Sequence, residues 1–290
     1  MSNSRQEFGG GWTAEKLERV QKYLEAYKQA LKNKPFHLTY IDAFAGTGYN
    51  TPKKKSPIQS LALPGFAEEE TRSFIDGSAR IALQEEPPFD KYIFIELEAA
   101  RIAELQKLRK EFSSRHIEVV QSDANSYIKS MCEKSWGMER AVLFLDPFGM
   151  QVTWDTIEAI ACTKAIDLWL LFPLGVAVNR LLKKNGQINE TWRRKLDAIF
   201  GEPKWFEAFY QTTPVQGLFG EELIIQKTGN FASISQYFVN RLKTVFTGVA
   251  ENPLPLMSSR NNPLYLLCFA ASNPKGAPIA LRIARHILRK

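Results

Sequence analysis

The spacing of apolar residues along the chain changes period several times, and each change predicts an element. Leu17, Val20, Leu24, Tyr27 and Leu31 recur every three to four positions, which predicts an amphipathic helix from Thr13 to Lys34. Thr13 is its predicted N-cap, although Lys16 stands where a capping box wants an acid. Short runs rich in β-branched and aromatic residues predict strands at His37 to Phe44, Lys91 to Glu96, Ile117 to Gln121, Arg140 to Asp146 and Ala165 to Pro173. Helical periods fall between them: a stretch with Ile81 and Leu83 that Ser78 would cap, then Glu98 to Phe112, a helix from about Ser126, and Thr153 to Cys162. Strands alternating with helices at this rhythm imply an α/β fold with a parallel sheet covered on both faces. Such a sheet places its ligand at the carboxyl ends of its strands.

Two stretches interrupt the rhythm. Over residues 49–77, Pro52, Pro57, Pro64 and Gly65 punctuate the chain, and this reads as an inserted loop; loops of that length in compact domains usually serve a function. Over residues 176–245 the pattern reads as helical decoration, with helices at Val176 to Phe209 and Phe231 to Val245. Strand-like runs at Phe246 to Glu251 and Leu264 to Ala271 then predict an antiparallel pair that closes the sheet. A last helix, Pro278 to Lys290, turns Arg282, Arg285 and Arg289 outward. The organisation predicted is one domain over residues 1–290, with residues 1–36 as an N-terminal helical extension.

Composition narrows the class. At 290 residues with 44% hydrophobic and 24% charged residues the chain is globular, with ample material for a core. Cys132, Cys162 and Cys268 are too scattered for a disulfide framework, and no metal-ligand spacing occurs. Neither a signal peptide nor a membrane span is readable, so the expected location is cytoplasmic with no membrane partner. The net charge of +7 is compatible with a polyanionic partner.

Candidate chemistry clusters where strands end. In YIDAFAGTGY, residues 40–49, Asp42 stands just before Ala45, Gly46 and Gly48, where glycines let the backbone pass close to a ligand and a carboxylate can accept from it. A dinucleotide fingerprint would need a third glycine and an immediate helix, and an insertion follows instead. Glu96 closes the second predicted strand, followed by Leu97, and Asp123 closes the third, followed by Ala124 and Asn125. Taken singly, Asp42 can mark a tight turn, Glu96 can pair with Lys91 or Arg101, and Asp123 can cap a helix. The fourth strand ends in Asp146-Pro147-Phe148-Gly149, which is either a strand-ending turn or a reactive element.

Asp42 with Ala45, Gly46 and Gly48 resembles motif I of class I S-adenosylmethionine-dependent methyltransferases. That resemblance implies a Rossmann-like sheet whose loop passes the methionine part of S-adenosylmethionine, with Glu96 at the ribose, Leu97 beside it also at the cofactor, and Asp123 and Ala124 at the adenine. Asp146-Pro147-Phe148 resembles the signature of amino-methylating enzymes, in particular the tRNA guanine-N2 methyltransferases. There the acid accepts from the target amine and the aromatic ring stacks on the base; the second proline of the commoner signature is missing here. At family level YIDAFAGTGY, Gly77 to Leu83, Phe94 to Glu96, FLDPFG with Trp154, and DLWLLFP resemble the three-Cys-motif partner proteins, over about residues 15 to 275. This implies a possible neighbour-encoded protein partner. Lys53, Lys54 and Lys55 in the insertion, and Arg193 and Arg194 beyond the fifth strand, are candidate phosphate contacts for RNA or DNA; a solvated face is the alternative.

Overall fold

The computed structural model describes residues 11–43, 77–147, 149–217 and 220–289. Helix α1 (Gly11–Leu31) leads into β1 (His37–Ala43), then a helix α2 over residues 77–84, β2 (Lys91–Glu96), α3 (Ala99–Glu111), β3 (Ile117–Gln121), α4 (Ala124–Cys132), β4 (Glu139–Leu145), α5 (Trp154–Cys162) and β5 (Ile166–Phe172). The strand order is β3-β2-β1-β4-β5, all parallel. Beyond β5 comes β10 (Pro263–Ala271), antiparallel to it, whose outer edge is lined by β8 (Gly248–Val249) and β9 (Leu254–Met257). A parallel core closed by one antiparallel strand, with helices on both faces, is the Rossmann-like class I methyltransferase sheet.

Side-chain alternation along each strand divides the core into two layers. Ile41, Ile93, Leu143 and Leu168 face α4, α5 and α9 (Phe231–Lys243), where Phe172 stacks on Phe238 at 3.9 Å between ring centroids. Tyr40, Phe94, Phe144, Trp169 and Phe269 face α1, α2, α3 and α10 (Ala277–Ile287). Helix α1 is therefore one wall of the second layer: Val20, Tyr23, Leu24 and Tyr27 are buried beneath it. It begins two residues before Thr13, which lies buried inside the helix and does not cap it.

The second half departs from the expected helical decoration. After β5 come a π-helical turn (Leu174–Val178), a single helical turn α6 (Asn179–Leu181), α7 (Glu190–Phe200) and α8 (Trp205–Phe209). An antiparallel hairpin of β6 (Tyr210–Gly217) and β7 (Gly220–Lys227) follows, a sheet of its own. At the end of α7, Gly201 takes φ +75°, and a Cβ there would meet the Trp154 ring at 2.1 Å, so only glycine lets α7 close against the start of α5. Trp154 is held further by the Arg241 guanidinium 4.4 Å from its ring centroid and by its own Nε1 donating to Glu158.

Helix α1 also carries polar groups into the buried layer. Lys28 Nζ lies 3.0 Å from a Glu85 carboxylate oxygen and donates to the Pro87 carbonyl, while Gln21 donates to the other Glu85 oxygen. Both ends of this ion pair are almost wholly buried, at 3% and 7% side-chain exposure. Removing one partner of such a pair strands a charge in a poorly solvating interior. Lys28→Met should therefore cost about 3–5 kcal/mol in urea unfolding, and adding Glu85→Gln should recover part of that. A Lys28→Met loss below about 1 kcal/mol would show the pair to be solvated.

Candidate functional site

The carboxyl ends of β1, β2 and β4 carry Asp42, Glu96 and Asp146. Asp42 shares a rung with Phe94 and Phe144, so Glu96 and Asp146 each lie two residues further along the neighbouring strands. Alternation turns all three toward the α1 and α2 side. Strand spacing of about 4.8 Å and a rise of about 3.3 Å per residue put the Asp42 Cα about 8 Å from each of the other two. Asp42 is thus set back by one step, with a carboxylate on either flank.

Asp42 is 1% exposed. Tyr40 donates to its Oδ2 at 3.2 Å, and Ser78, brought back by the start of α2, adds a second hydrogen bond. Oδ1 is buried and has no hydrogen-bond partner among the described residues. Burial pushes the Asp42 carboxyl up to about 7; Ser78, Tyr40 and the Lys16 ammonium oppose the rise, and the Asp146 charge adds to it. Ser78 was expected as a helix cap, yet it lies within the described turns of α2 and serves the sheet.

Glu96 is equally buried, at 1% exposure. Its Oε1 accepts from the backbone N–H groups of Leu97 and Glu98, both at 2.7 Å, which turns the carboxylate over its own loop. Oε2 is buried without a hydrogen-bond partner among the described residues. Burial raises this carboxyl also to about 7, against the Glu98 N–H, the Arg101 guanidinium and the Leu97 N–H. Neither surface pairing considered from the sequence forms: Lys91 bridges to Glu118 and Arg101 to Glu98. Leu97, immediately beyond, is 54% exposed, an apolar side chain held out at the strand end.

Asp123 is exposed and caps α4, accepting at Oδ1 from the Ser126 N–H and hydroxyl, both at 2.9 Å. Ala124, the first residue of α4, is buried. Asn125 has a role the sequence did not announce. Its amide donates to the Gln151 carbonyl at 2.9 Å, and its Oδ1 accepts from Thr153 N–H, Thr153 Oγ1 and Thr156 Oγ1. It ties the head of α4 to the loop that carries Asp146 and Pro147.

Asp146 extends the sheet by donating its backbone N–H to the Ala43 carbonyl. Its Oδ2 lies 3.1 Å from Lys16 Nζ, an ion pair with 2% and 13% side-chain exposure. Burial raises the Asp146 carboxyl, and Lys16 pulls it back. Lys16 Nζ stands 4.8 Å from the Trp12 ring centroid, and Trp12 packs on Tyr265, centroids 5.0 Å apart. Tyr265 is one residue before the first rung that β10 shares with the end of β5. The start of α1 and the start of β10 therefore frame Asp146. In the sequence Lys16 stands only as the residue that leaves the Thr13 capping box incomplete.

Ala45, Gly46, Gly48, Lys53, Lys54, Lys55 and Phe148 lie outside the described residues. Arg193 on α7 lies over the Trp205 and Phe206 rings at 5.7 and 4.7 Å, and Arg194 pairs with Glu190 at the surface. Among the described residues no helix is long and apolar enough to cross a membrane, and no group of three or more His, Cys, Asp or Glu could hold a metal ion.

Several solved structures are similar to the chain at low identity. One is the Legionella pneumophila protein LPL1258, of family-model DUF519, at 13% identity, covering 97% of this chain and 92% of that one with a TM-score of 0.47. A spermidine synthase in complex with the transition-state analogue AdoDATO is 12% identical, with 91% and 61% covered and a TM-score of 0.39. The glycopeptide N-methyltransferase MtfA, complexed with S-adenosyl-L-homocysteine, is 10% identical, with 86% and 89% covered and a TM-score of 0.30. No family model matches the chain, and no curated protein matches it. The resemblance to three-Cys-motif partner proteins therefore rests on the motifs quoted above.

Two outcomes follow from this geometry. Folded Asp42 and Glu96 keep protons up to about pH 7, whereas their ordinary values are 3.8 and 4.5. The unfolded chain releases those protons first, so the stabilisation present at pH 4 is lost as pH rises toward 7. The melting temperature of the ligand-free protein should fall between pH 5 and 7.5, and less so in Asp42→Asn/Glu96→Gln; equal slopes in both proteins would contradict the assignment. Separately, Asn125→Ala strips partners from Gln151 and Thr153 and should cost about 1–3 kcal/mol by denaturant unfolding.

Proposed function

We propose that the chain is an S-adenosylmethionine-dependent methyltransferase that acts on an exocyclic amino group of a nucleic-acid base. One observation carries this reading: Asp42 and Glu96 are buried on one face of adjacent strands, each with a carboxylate oxygen left without a described partner. Burying unanswered acceptors costs free energy, and a ligand that supplies donors and positive charge repays it. S-adenosylmethionine brings an ammonium and a sulfonium, and its ribose brings two hydroxyl donors. In this reading Asp42, with the Ala45 to Gly48 loop, serves the methionine part. Glu96 accepts from the ribose, Leu97 packs on the adenine, and Asp123 and Ala124 border the ring.

On the acceptor side, Asp146 accepts from the target amine and Phe148 stacks on the base, next to Pro147. Bound there, S-adenosylmethionine would supply the methyl group and a sulfur leaving group that keeps the bonding electron pair, while Asp146 would orient the amine lone pair toward that methyl and take up the proton the methylated nitrogen sheds. Holding the amine in line supplies much of such a rate. The net charge of +7, with Lys53, Lys54, Lys55, Arg193 and Arg194 as phosphate contacts, supports a polyanionic substrate. A second reading, a methyltransferase-fold module that binds nucleic acid or a neighbour-encoded protein without transfer, draws on the ion pair Asp146 already makes with Lys16.

Calorimetry with S-adenosylmethionine tests the cofactor half. Micromolar binding is expected, weakened at least about tenfold by Glu96→Ala, kept by Asp146→Asn, and tightening from pH 6 to 8 as the two carboxyls ionise. Absence of binding in the wild type defeats the proposal. Binding without tritium transfer from labelled cofactor into total RNA or DNA selects the second reading.

A further inference from the structure

Lys16 is a cation that the cofactor reading does not use, yet it is 1% exposed and spends its charge on the acceptor-side acid. Anchoring α1 does not require it. Val20, Tyr23, Leu24 and Tyr27 already bury the helix against the sheet, and Lys28 with Glu85 pins its far end. Burying a second lysine for stability alone is a poor bargain, because desolvation roughly cancels the attraction of the pair.

The two oxygens of Asp146 are divided. Oδ2 takes Lys16, Oδ1 accepts no hydrogen bond from the described residues, and the carboxylate keeps 13% exposure. We propose that Lys16 is a positioning residue for methyl transfer: through Oδ2 it holds the Asp146 carboxylate charged and oriented, so that Oδ1 faces the incoming amine. The Trp12 ring, stacked on Tyr265, backs the ammonium on its other side and fixes where it stands. This rests on the proposed site above and adds the N-terminal helix to its working parts.

The charged groups around Asp146 make the role specific. From α1 comes Lys16; from β1 come Asp42, whose charge is repulsive, and the Tyr40 hydroxyl. Lys16 is thus the cation that answers both carboxylates. Without it, burial favours a protonated Asp146, which cannot take up the proton the amine sheds.

The test uses the full chain with carboxyl-labelled aspartate, the Asp146 resonance being identified by its loss in Asp146→Asn. In Lys16→Met the Asp146 titration midpoint should rise by about one pH unit or more, and the acid limb of methyl transfer to total RNA should move with it, a loss of about tenfold at the original midpoint that recovers as pH is raised. Lys16→Arg should keep the wild-type midpoint. An unmoved midpoint in Lys16→Met, or a loss of transfer equal at every pH, overturns the proposal. Should Lys16→Met fail to fold, the wild-type midpoint decides: an Asp146 still protonated at pH 7 beside Lys16 also overturns it. If the midpoint shifts as expected while the wild type binds no S-adenosylmethionine, the charge-holding role stands and the reading of the site falls.

Discussion

Carboxylates buried on one face of a sheet must be answered by donors or cations, and helix α1 answers Asp146 and Asp167 there as well as Glu85 beside it. Its inward stripe is apolar at Val20, Leu24 and Tyr27, yet it is interrupted by Lys16 opposite Asp146, Tyr23 opposite Asp167 and Lys28 opposite Glu85. Each polar position meets an acid from a different segment of the chain. Burial alone holds the Asp167 carboxyl up at about 7 despite the Tyr23 hydroxyl 2.7 Å away, which shows how strongly this layer resists charge. The helix that packs the sheet also sets its electrostatics.

Against that background the incompletely answered acids are the informative ones. Asp42 and Glu96 lie next to each other at the strand ends, each half satisfied by groups that also orient it: Tyr40 and Ser78 for one, the Leu97 and Glu98 backbone for the other. A carboxylate so fixed, with one oxygen to spare, loses little freedom in accepting from any donor brought to it. Asp146 is treated differently, since its partner is a lysine and not a backbone amide. The site consequently has two halves of distinct chemistry, one lined by acids that hold protons up to about pH 7 and one built on an ion pair.

Strand ends are positions where a short motif can be read with little help from tertiary contacts. LFLDPFG predicts a buried strand that must stop at Asp146-Pro147, and β4 ends at Leu145. KYIFIE and IEVVQ match β2 and β3 residue for residue. The hairpin of β6 and β7 was not legible. Pro214 sits within β6, and exposed Leu223 and Ile224 give no clean alternation, so nothing in the pattern separates these strands from the helices on either side.

The sequence by itself determined the alternating α/β order, the five parallel strands and the antiparallel strand beside them, though not the short β9, and which acids close the strands, because a period of two or of about 3.6 and a proline or glycine stop are local properties of the chain. Only the tertiary structure decided what each acid meets. Lys16 reaches Asp146 across 130 positions, and Ser78 on α2 returns to Asp42 on β1. Desolvation and charge pairing depend on what folding brings within a few ångströms, and no periodicity along the chain encodes that distance.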